Sequence, residues 1–397
     1  MSRASRARRR LRLFAAVVSA FLAGAGEALM GACGPFSDIS DPTFCEFVLE
    51  IFTLGITTGT TPTTYSPSDN VNRLQMAAFL SRTVDGVLKR DSRRAALKQF
   101  WTTQNDVVAS TTTVGFHPVL IESDGADVWV ANRDSFTISR VRGSDGRVLE
   151  TWTGAFRAVG VLVAAGRVFA SQNFTPGALF MIDPRQPAGA VTAVATNLGD
   201  YASGMAYDGF HIWTANNANS GTTGGSVSFV TPSPSLPWTV VTVTTGYQSP
   251  QGALFDGTNV WVTDGTSNTL LKLNGNGSIA KTVTVGTDPQ FPVFDGANIW
   301  VPNVVGGSVS VVRASSGLVI GTLTGNGLSS PTAAAFDGQR VLVTNQGNGT
   351  VSLWKAADLK ELGSFSVGSG GSIPIGACSD GVSFWVSLFS AGQIARF

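Results

Sequence analysis

The stretch Phe294-Asp295-Gly296-Ala297-Asn298-Ile299-Trp300-Val301-Pro302-Asn303 (FDGANIWVPN) packs an apolar strand end, a two-residue turn and an apolar–aromatic–apolar strand into ten residues. The same hairpin recurs along the chain. Ser123-Asp124-Gly125 precedes VWV at 128–130, Ala165-Gly166 precedes VFA at 168–170, and Asp208-Gly209 precedes IWT at 212–214. Asp256-Gly257 leads to VWV at 260–262, Asp337-Gly338 to VLV at 341–343, and Asp380-Gly381 to FWV at 384–386. The seven turn glycines, 125, 166, 209, 257, 296, 338 and 381, are spaced 39 to 48 residues apart. A repeat of that length built from short strands and turns predicts a β-propeller with four strands per blade. Asp-Gly suits such turns because both residues tolerate positive φ.

Working outward from the hairpin assigns each strand of the unit. Strand a, before the turn, is rich in small residues, as in Gly204-Met205-Ala206 and Thr332-Ala333-Ala334-Ala335. That composition fits the innermost position, where strands converge on an axis. Strand b carries the aromatic side chain, placed to fill the wedge between blades. Strands c and d follow, as in Thr350-Val351-Ser352-Leu353-Trp354 and Lys281-Thr282-Val283-Thr284-Val285. The seventh unit has a strand c at 392–397 and no strand d after it. Ser110 to Pro118 (STTTVGFHP) mirrors Lys281 to Pro289 (KTVTVGTDP). The expected fold class is therefore mainly β: a seven-bladed β-propeller over 106–397, closed by strand 106–114 pairing with 392–397, behind a small N-terminal α-helical module. Closure removes exposed strand edges.

Val341-Leu342-Val343-Thr344-Asn345 with Gly349-Thr350-Val351-Ser352-Leu353 resembles the YVTN family of surface-layer propeller repeats, with NHL-type and virginiamycin B lyase-like propellers as near relatives. The resemblance spans 106–397 and implies a fold more than an activity. A lyase of the virginiamycin B type would imply a histidine and acidic residues gathered at a pocket mouth, and no such cluster is apparent.

The N-terminus reads as a targeting segment. Arg3, Arg6, Arg8, Arg9, Arg10 and Arg12 precede the apolar run Leu11–Gly24, and Ala23-Gly24-Ala25 offers a cleavage site, giving a signal peptide over 1–25. The run is short for a membrane span, so no transmembrane span is expected after cleavage. The chain is thus expected in an exported location: cell surface, periplasm or extracellular space. Met30-Gly31-Ala32-Cys33 raises lipidation of Cys33 as an alternative to its pairing with Cys45, the disulfide an oxidising compartment would permit. Cys378, on an apolar strand, reads as a buried small residue.

Residues 33–88 differ in character. Phe44–Leu54 has apolar residues at helical spacing, and Val71–Leu88 is a second amphipathic run that Asn70 or Asn72 can cap. Phe36-Ser37-Asp38-Ile39, Leu54-Gly55-Ile56-Thr57-x-Gly59, Tyr65-Ser66-Pro67 and Val71 to Ala77 (VNRLQMA) resemble one S-layer homology (SLH) module. The resemblance implies a partner: cell-wall polysaccharide, which modules of that family grip, often as triplets. The family's Thr-Arg-Ala-Glu patch stands here as Asn72-Arg73-Leu74-Gln75, which makes Arg73 the candidate wall-binding residue. Read without the resemblance, the same residues make a helical hairpin serving as spacer or dock to another envelope protein. Residues 89–105 form a charged linker.

A net charge of +1, with 13% charged residues, gives no field for steering nucleic acid. Asn132, Asn216, Asp264, Asn303 and Asn345 recur after strand b. The b–c and d–a loops share one propeller face, so these residues, with Tyr247, Gln290 and His117, are expected as a polar rim for a carbohydrate or protein ligand. Local turn bonding is the competing account of the same pattern. His117 and His211 fall on opposite faces, no metal-ligand spacing occurs, and no catalytic residue or cofactor is expected. The expected function is an exported cell-envelope propeller, monomeric, with a binding or structural role. A secreted propeller enzyme, a lyase or glycan hydrolase, is the alternative.

Overall fold

The computed structural model describes residues 33, 36–53, 56–61, 63–91, 110–217, 224–368 and 371–397. The signal peptide, Met30–Ala32, Leu54-Gly55 and positions 92–109 of the linker and first strand lie outside them. The chain divides into two compact units, 1–90 and 91–397.

The larger unit holds seven four-stranded antiparallel sheets. Blade 1 runs Pro118–Ser123 (strand a), Asp127–Asn132 (b), Thr137–Arg142 (c) and Val148–Thr153 (d). Blades 2 to 6 repeat this order, beginning at Ala158, Ala202, Pro250, Val293 and Pro331. In blade 7, Pro374–Ser379, Phe384–Leu388 and Gln393–Arg396 are completed by Ser110–Thr113, whose register pairs Ser110 with Arg396 and Thr113 with Gln393. Successive a strands neighbour one another all the way round, the first against the last.

The turn between strands a and b explains the wedge packing. Its glycine takes the left-handed backbone, φ 94° at Gly296. The aspartate does not, contrary to the sequence expectation; its side chain is what the turn uses. In blade 4, Asp256 Oδ1 accepts the Thr258 and Asn259 N–H groups at 2.8 and 2.6 Å, and Oδ2 accepts the Trp261 indole N–H at 2.7 Å. The same indole bond joins Asp124 to Trp129, Asp208 to Trp213, Asp295 to Trp300 and Asp380 to Trp385 at 2.7–3.0 Å. Blade 2 has Ala165 in place of the aspartate and Phe169, with no N–H, in place of the tryptophan. Ala165 alone at this position takes positive φ (49°). Blade 6 has Leu342, and its Asp337 binds the Arg340 guanidinium at 2.9 Å. The five tethered indoles are at most 1% exposed and lie in the clusters between blades. Each buries roughly 200 Å², an upper estimate near 5 kcal/mol of apolar transfer. An orphaned buried N–H would forfeit about 1–3 kcal/mol of it.

Hydroxyls stitch neighbouring blades together where strand a bulges. Ser171, Thr263, Thr344 and Ser387 each accept an N–H from strand a of their own blade: Gly160, Gly252, Ala333 and Gly376. Each then donates to a carbonyl of the next blade: Ser203, Gln290, Ile375 and Val119, at 2.6–2.8 Å. The Ser387–Val119 bond closes the ring on the inside, as Ser110–Thr113 closes it on the outside.

In the smaller unit, helices α1 (Pro42–Thr53) and α2 (Arg73–Asp91) occupy the stretches the sequence marks as helical. Phe36, fully buried, meets Phe52 at 5.1 Å and Tyr65 at 5.6 Å, and Cys33 joins Cys45 in a disulfide with Cα atoms 5.4 Å apart. That bond uses the Cys33 sulfur, so the lipidation alternative does not fit this structure. At Gly59 (φ 76°) a side chain would collide with the Phe36 ring.

Two expectations follow. Deleting Ser110–Thr113 exposes the edge of Gln393–Arg396, so the variant should aggregate, checked by size-exclusion chromatography against the parent. Asp256→Ala should cost about 1–3 kcal/mol by orphaning the Trp261 indole. Added to Trp261→Phe it should cost clearly less, because no N–H remains to orphan. Urea unfolding of both single variants and the double variant measures the difference; strict additivity would refute the tether.

Candidate functional site

Three places offer room for a site: the face bearing the b–c and d–a loops, the central channel, and the helical module.

On the loop face the expected rim of asparagines does not exist. Asn132, Asn216, Asn303 and Asn345 are 0% exposed. Each Nδ2 donates to two hydroxyls brought alongside by strand c: Thr137 and Ser139, Ser226 and Ser228, Ser308 and Ser310, Thr350 and Ser352, all within 2.8–3.1 Å. A glycine of the d–a corner sits on the amide: a Cβ at Gly115 would come 2.6 Å from Asn132 Cβ. Asp264, also 0% exposed, replaces the amide in blade 4 and accepts the N–H groups of Gln248, Ser249 and Ser267 at 2.8, 3.1 and 3.2 Å. These side chains fasten strand b to strand c and to the loops. They cannot touch a ligand unless the blade opens. Tyr247, 4% exposed, donates to the Gly277 carbonyl at 2.6 Å, and burial, then the charge of Asp264, pushes its phenol pKa up. It too is structural. Gln290 is half-buried and donates to Asp288 at 2.8 Å.

Of the candidate rim only His117 reaches the surface as a recognition group. Its ring stacks on Phe389 (4.3 Å, 12°) and its Nδ1 bonds Asp134. The Arg133 guanidinium, then His117, hold the Asp134 carboxyl at about 2, and Arg133 also lies 5.0 Å from the Phe389 ring.

Beyond His117 the face carries side chains that the sequence reading passed over. Phe136 in the b–c turn of blade 1, Phe156 in the following d–a corner and Phe174 in the b–c turn of blade 2 are 38–41% exposed. Their ring centroids are 4.7 and 5.4 Å apart along this series, and Arg157 lies 5.9 Å from the Phe174 ring. Backbone bonds fix the loops to one another: Ala155 N–H to the Phe136 carbonyl, Asn173 N–H to Arg157, and Tyr201 N–H to Phe174, at 2.9–3.0 Å.

The channel, about 530 Å³, is lined by the a strands. Most lining side chains are apolar or small. Glu122 is the exception: it accepts the Val163 N–H of the next blade at 3.1 Å, and burial pushes its carboxyl up to about 8. Around the ring, the residues paired with the strand-b aromatic, or with Leu342 in its place in blade 6, are Glu122, Leu162, Ala206, Leu254, Val293, Ala335 and Cys378. The one acidic residue in that register was visible in the sequence once the repeats were aligned. Burial, with the charges of Asp380 and Glu122, raises the Cys378 thiol well above its ordinary value, so it is no thiolate nucleophile. Among the described residues no group of three or more His, Cys, Asp or Glu could hold a metal.

In the helical module Asn72 and Gln75 form a reciprocal capping box: Gln75 N–H to Asn72 Oδ1 and Asn72 N–H to Gln75 Oε1, both 2.9 Å. The amide pair thus does the work of a Thr…Glu pair, and it leaves Arg73 exposed at the first turn of α2. Asp38 accepts the Tyr65 and Ser66 N–H groups, and the Tyr65 bond foremost lowers its pKa. No described helix is long and apolar enough to cross a membrane.

Residues 35–77 match the S-layer homology domain. No curated protein matches the chain. Among solved structures, a streptogramin B lyase is 15% identical with a TM-score of 0.60, covering 72% of this chain and 96% of its own. Virginiamycin B lyase from Staphylococcus aureus is 16% identical (TM-score 0.59; 72% and 98%). Hydrazine synthase from Kuenenia stuttgartiensis is 14% identical (TM-score 0.59; 74% and 97%). Likeness at these identities carries the fold alone. The chain combines an S-layer homology domain, which implies association with the cell surface, and a seven-bladed β-propeller.

The Glu122 environment makes a prediction. Its folded pKa lies above that of the unfolded chain, so the fold holds an extra proton between about 4.5 and 8. Stability is full below that window and falls as pH rises through it. Glu122→Gln, which keeps an acceptor for Val163 and cannot ionise, should match the parent Tm near pH 5 and exceed it by several degrees at pH 9. A Tm difference independent of pH would refute this.

Proposed function

We propose that this protein is a non-catalytic envelope component, held at the cell wall through its S-layer homology domain and displaying the propeller as a rigid binding platform. The observation that carries the reading is the exposed Arg73 on a capped helix start within the matched domain. A guanidinium there can form paired hydrogen bonds with the acidic groups of a wall polysaccharide, and the positive end of the helix adds to the attraction. Export through an N-terminal signal fits the same picture, as does a disulfide in the module. The recurring Asn132, Asn216, Asp264, Asn303 and Asn345, with Tyr247, are buried in the blades, so its loops are the surface left for contact. The lyase activity of structural neighbours belongs to those proteins and supplies no activity here.

The expected behaviour is co-sedimentation of the mature chain with purified cell-wall sacculi that still carry their secondary polysaccharide. Removal of that polysaccharide should abolish it, and Arg73→Ala should weaken it about tenfold, as expected for losing one charge-assisted contact. Equal sedimentation of parent and Arg73→Ala would remove the assigned role of Arg73. Equal sedimentation with stripped sacculi would remove the wall-polysaccharide reading altogether.

A further inference from the structure

The backbone of the loop face sets the corners of most blades a common demand. In the four-residue b–c turns of blades 1, 4, 5, 6 and 7, the residue before strand c is left-handed: Phe136, Asn268, Gly307, Gly349 and Gly392, with φ between 55° and 71°. Glycine meets this demand at no steric cost, and asparagine at little. Phe136 meets it at a cost of about 1–2 kcal/mol while leaving 39% of its surface exposed. At the d–a corners the left-handed residue is Asp288 or Ser330 in blades 5 and 6, but His117, Arg157 and Tyr201 in blades 1 to 3. Large aromatic and cationic side chains are therefore set on strained positions in one sector of the ring, while small or polar residues hold them elsewhere. Strain kept at exposed positions points to contact with something outside the fold.

We propose that Phe136, Phe156, Phe174 and Arg157 form a binding site for an acidic polysaccharide chain. The proposal rests on the reading of the propeller as a binding platform and gives it a ligand class.

Three features choose this occupant. The rings turn by 43° and then 83° from one to the next. That staircase suits successive pyranoses, whose C–H faces match one arene each, and not a flat surface or stacked bases. Three rings exposing some two-fifths of their area fall well short of the roughly 800 Å² per partner of a stable protein interface. Charge decides the rest. Arg133 is neutralised by Asp134 at 3.1 Å, whereas Arg157 makes no ion pair among the described residues. Resting against Phe174, it keeps its N–H edges for a carboxylate.

The test uses the mature full-length chain carrying Arg73→Ala, so that the helical module's contribution is reduced and the wall reading is judged separately by sedimentation. Calorimetric titration with polygalacturonate oligosaccharides is expected to show binding, weakened about tenfold by methyl esterification of the same oligosaccharides, which keeps the sugar faces and removes the charge. Phe136→Gly and Arg157→Gln should each weaken binding of the acid form at least about tenfold. Phe136→Gly should leave Tm unchanged or raise it, because the strain is relieved. The proposal is overturned by absence of binding at millimolar saccharide, by equal affinity for acid and ester, or by either variant binding as the parent does. A Phe136→Gly protein that loses both stability and binding would also overturn it, since the phenylalanine would then be serving the fold.

Discussion

The hydrogen bond that a buried indole donates to a turn aspartate is the constraint on which the propeller depends. The wedge between blades calls for the bulkiest apolar side chain available, and tryptophan supplies it with one polar atom that is costly to leave dry, as only Trp354 does among the described tryptophans. An aspartate five residues earlier settles that atom and, with its other oxygen, the turn's own N–H groups. One side chain thereby locks a hairpin and places an aromatic plate against the next blade. The exceptions follow the same logic: Phe169 has no N–H and stands with Ala165, and Asp337, with Leu342 in its blade, turns to Arg340. Burial opposes the charge on Asp124, Asp208 and Asp256, yet the bonds they accept hold all three below the usual carboxylate range.

Most of the fold was legible because it is periodic. Seven turn glycines at near-even spacing read as seven sheets, and seven are present. The asparagines left two accounts open, a polar rim and local bonding, because a recurring polar residue after a strand looks like a surface feature in one dimension. What buries it is strand c, which returns two hydroxyls to the amide. The sequence does hold that signal, as a hydroxyl residue, a gap and a serine: Thr137 with Ser139, Ser308 with Ser310, Thr350 with Ser352. Glu122 and Phe136 were overlooked for another reason. They depart from the repeat, and a reading that gathers what recurs discards what does not. For this architecture the regular positions report the scaffold, and the exceptions mark where the surface has been put to use.

The small module shows how chemistry can be conserved while letters change. Asn72 and Gln75 cap α2 reciprocally, as the threonine and glutamate of the family's patch would be expected to, but without a carboxylate. Arg73 is thus presented without an adjacent acidic competitor within the box, which favours its use against an anionic polymer.

The bond from Ser387 to the Val119 carbonyl, and the pairing of Ser110–Thr113 with Gln393–Arg396, join segments more than 260 residues apart in sequence. Neither can form until nearly the whole ring has been made and delivered. Six blades' worth of strands must wait, as a chain with an unpaired rim, for the seventh to arrive. Assembly should therefore be slow and late, and open to interference by holding factors in whatever compartment receives the chain. Once shut, the circle has no loose end at which unravelling could begin.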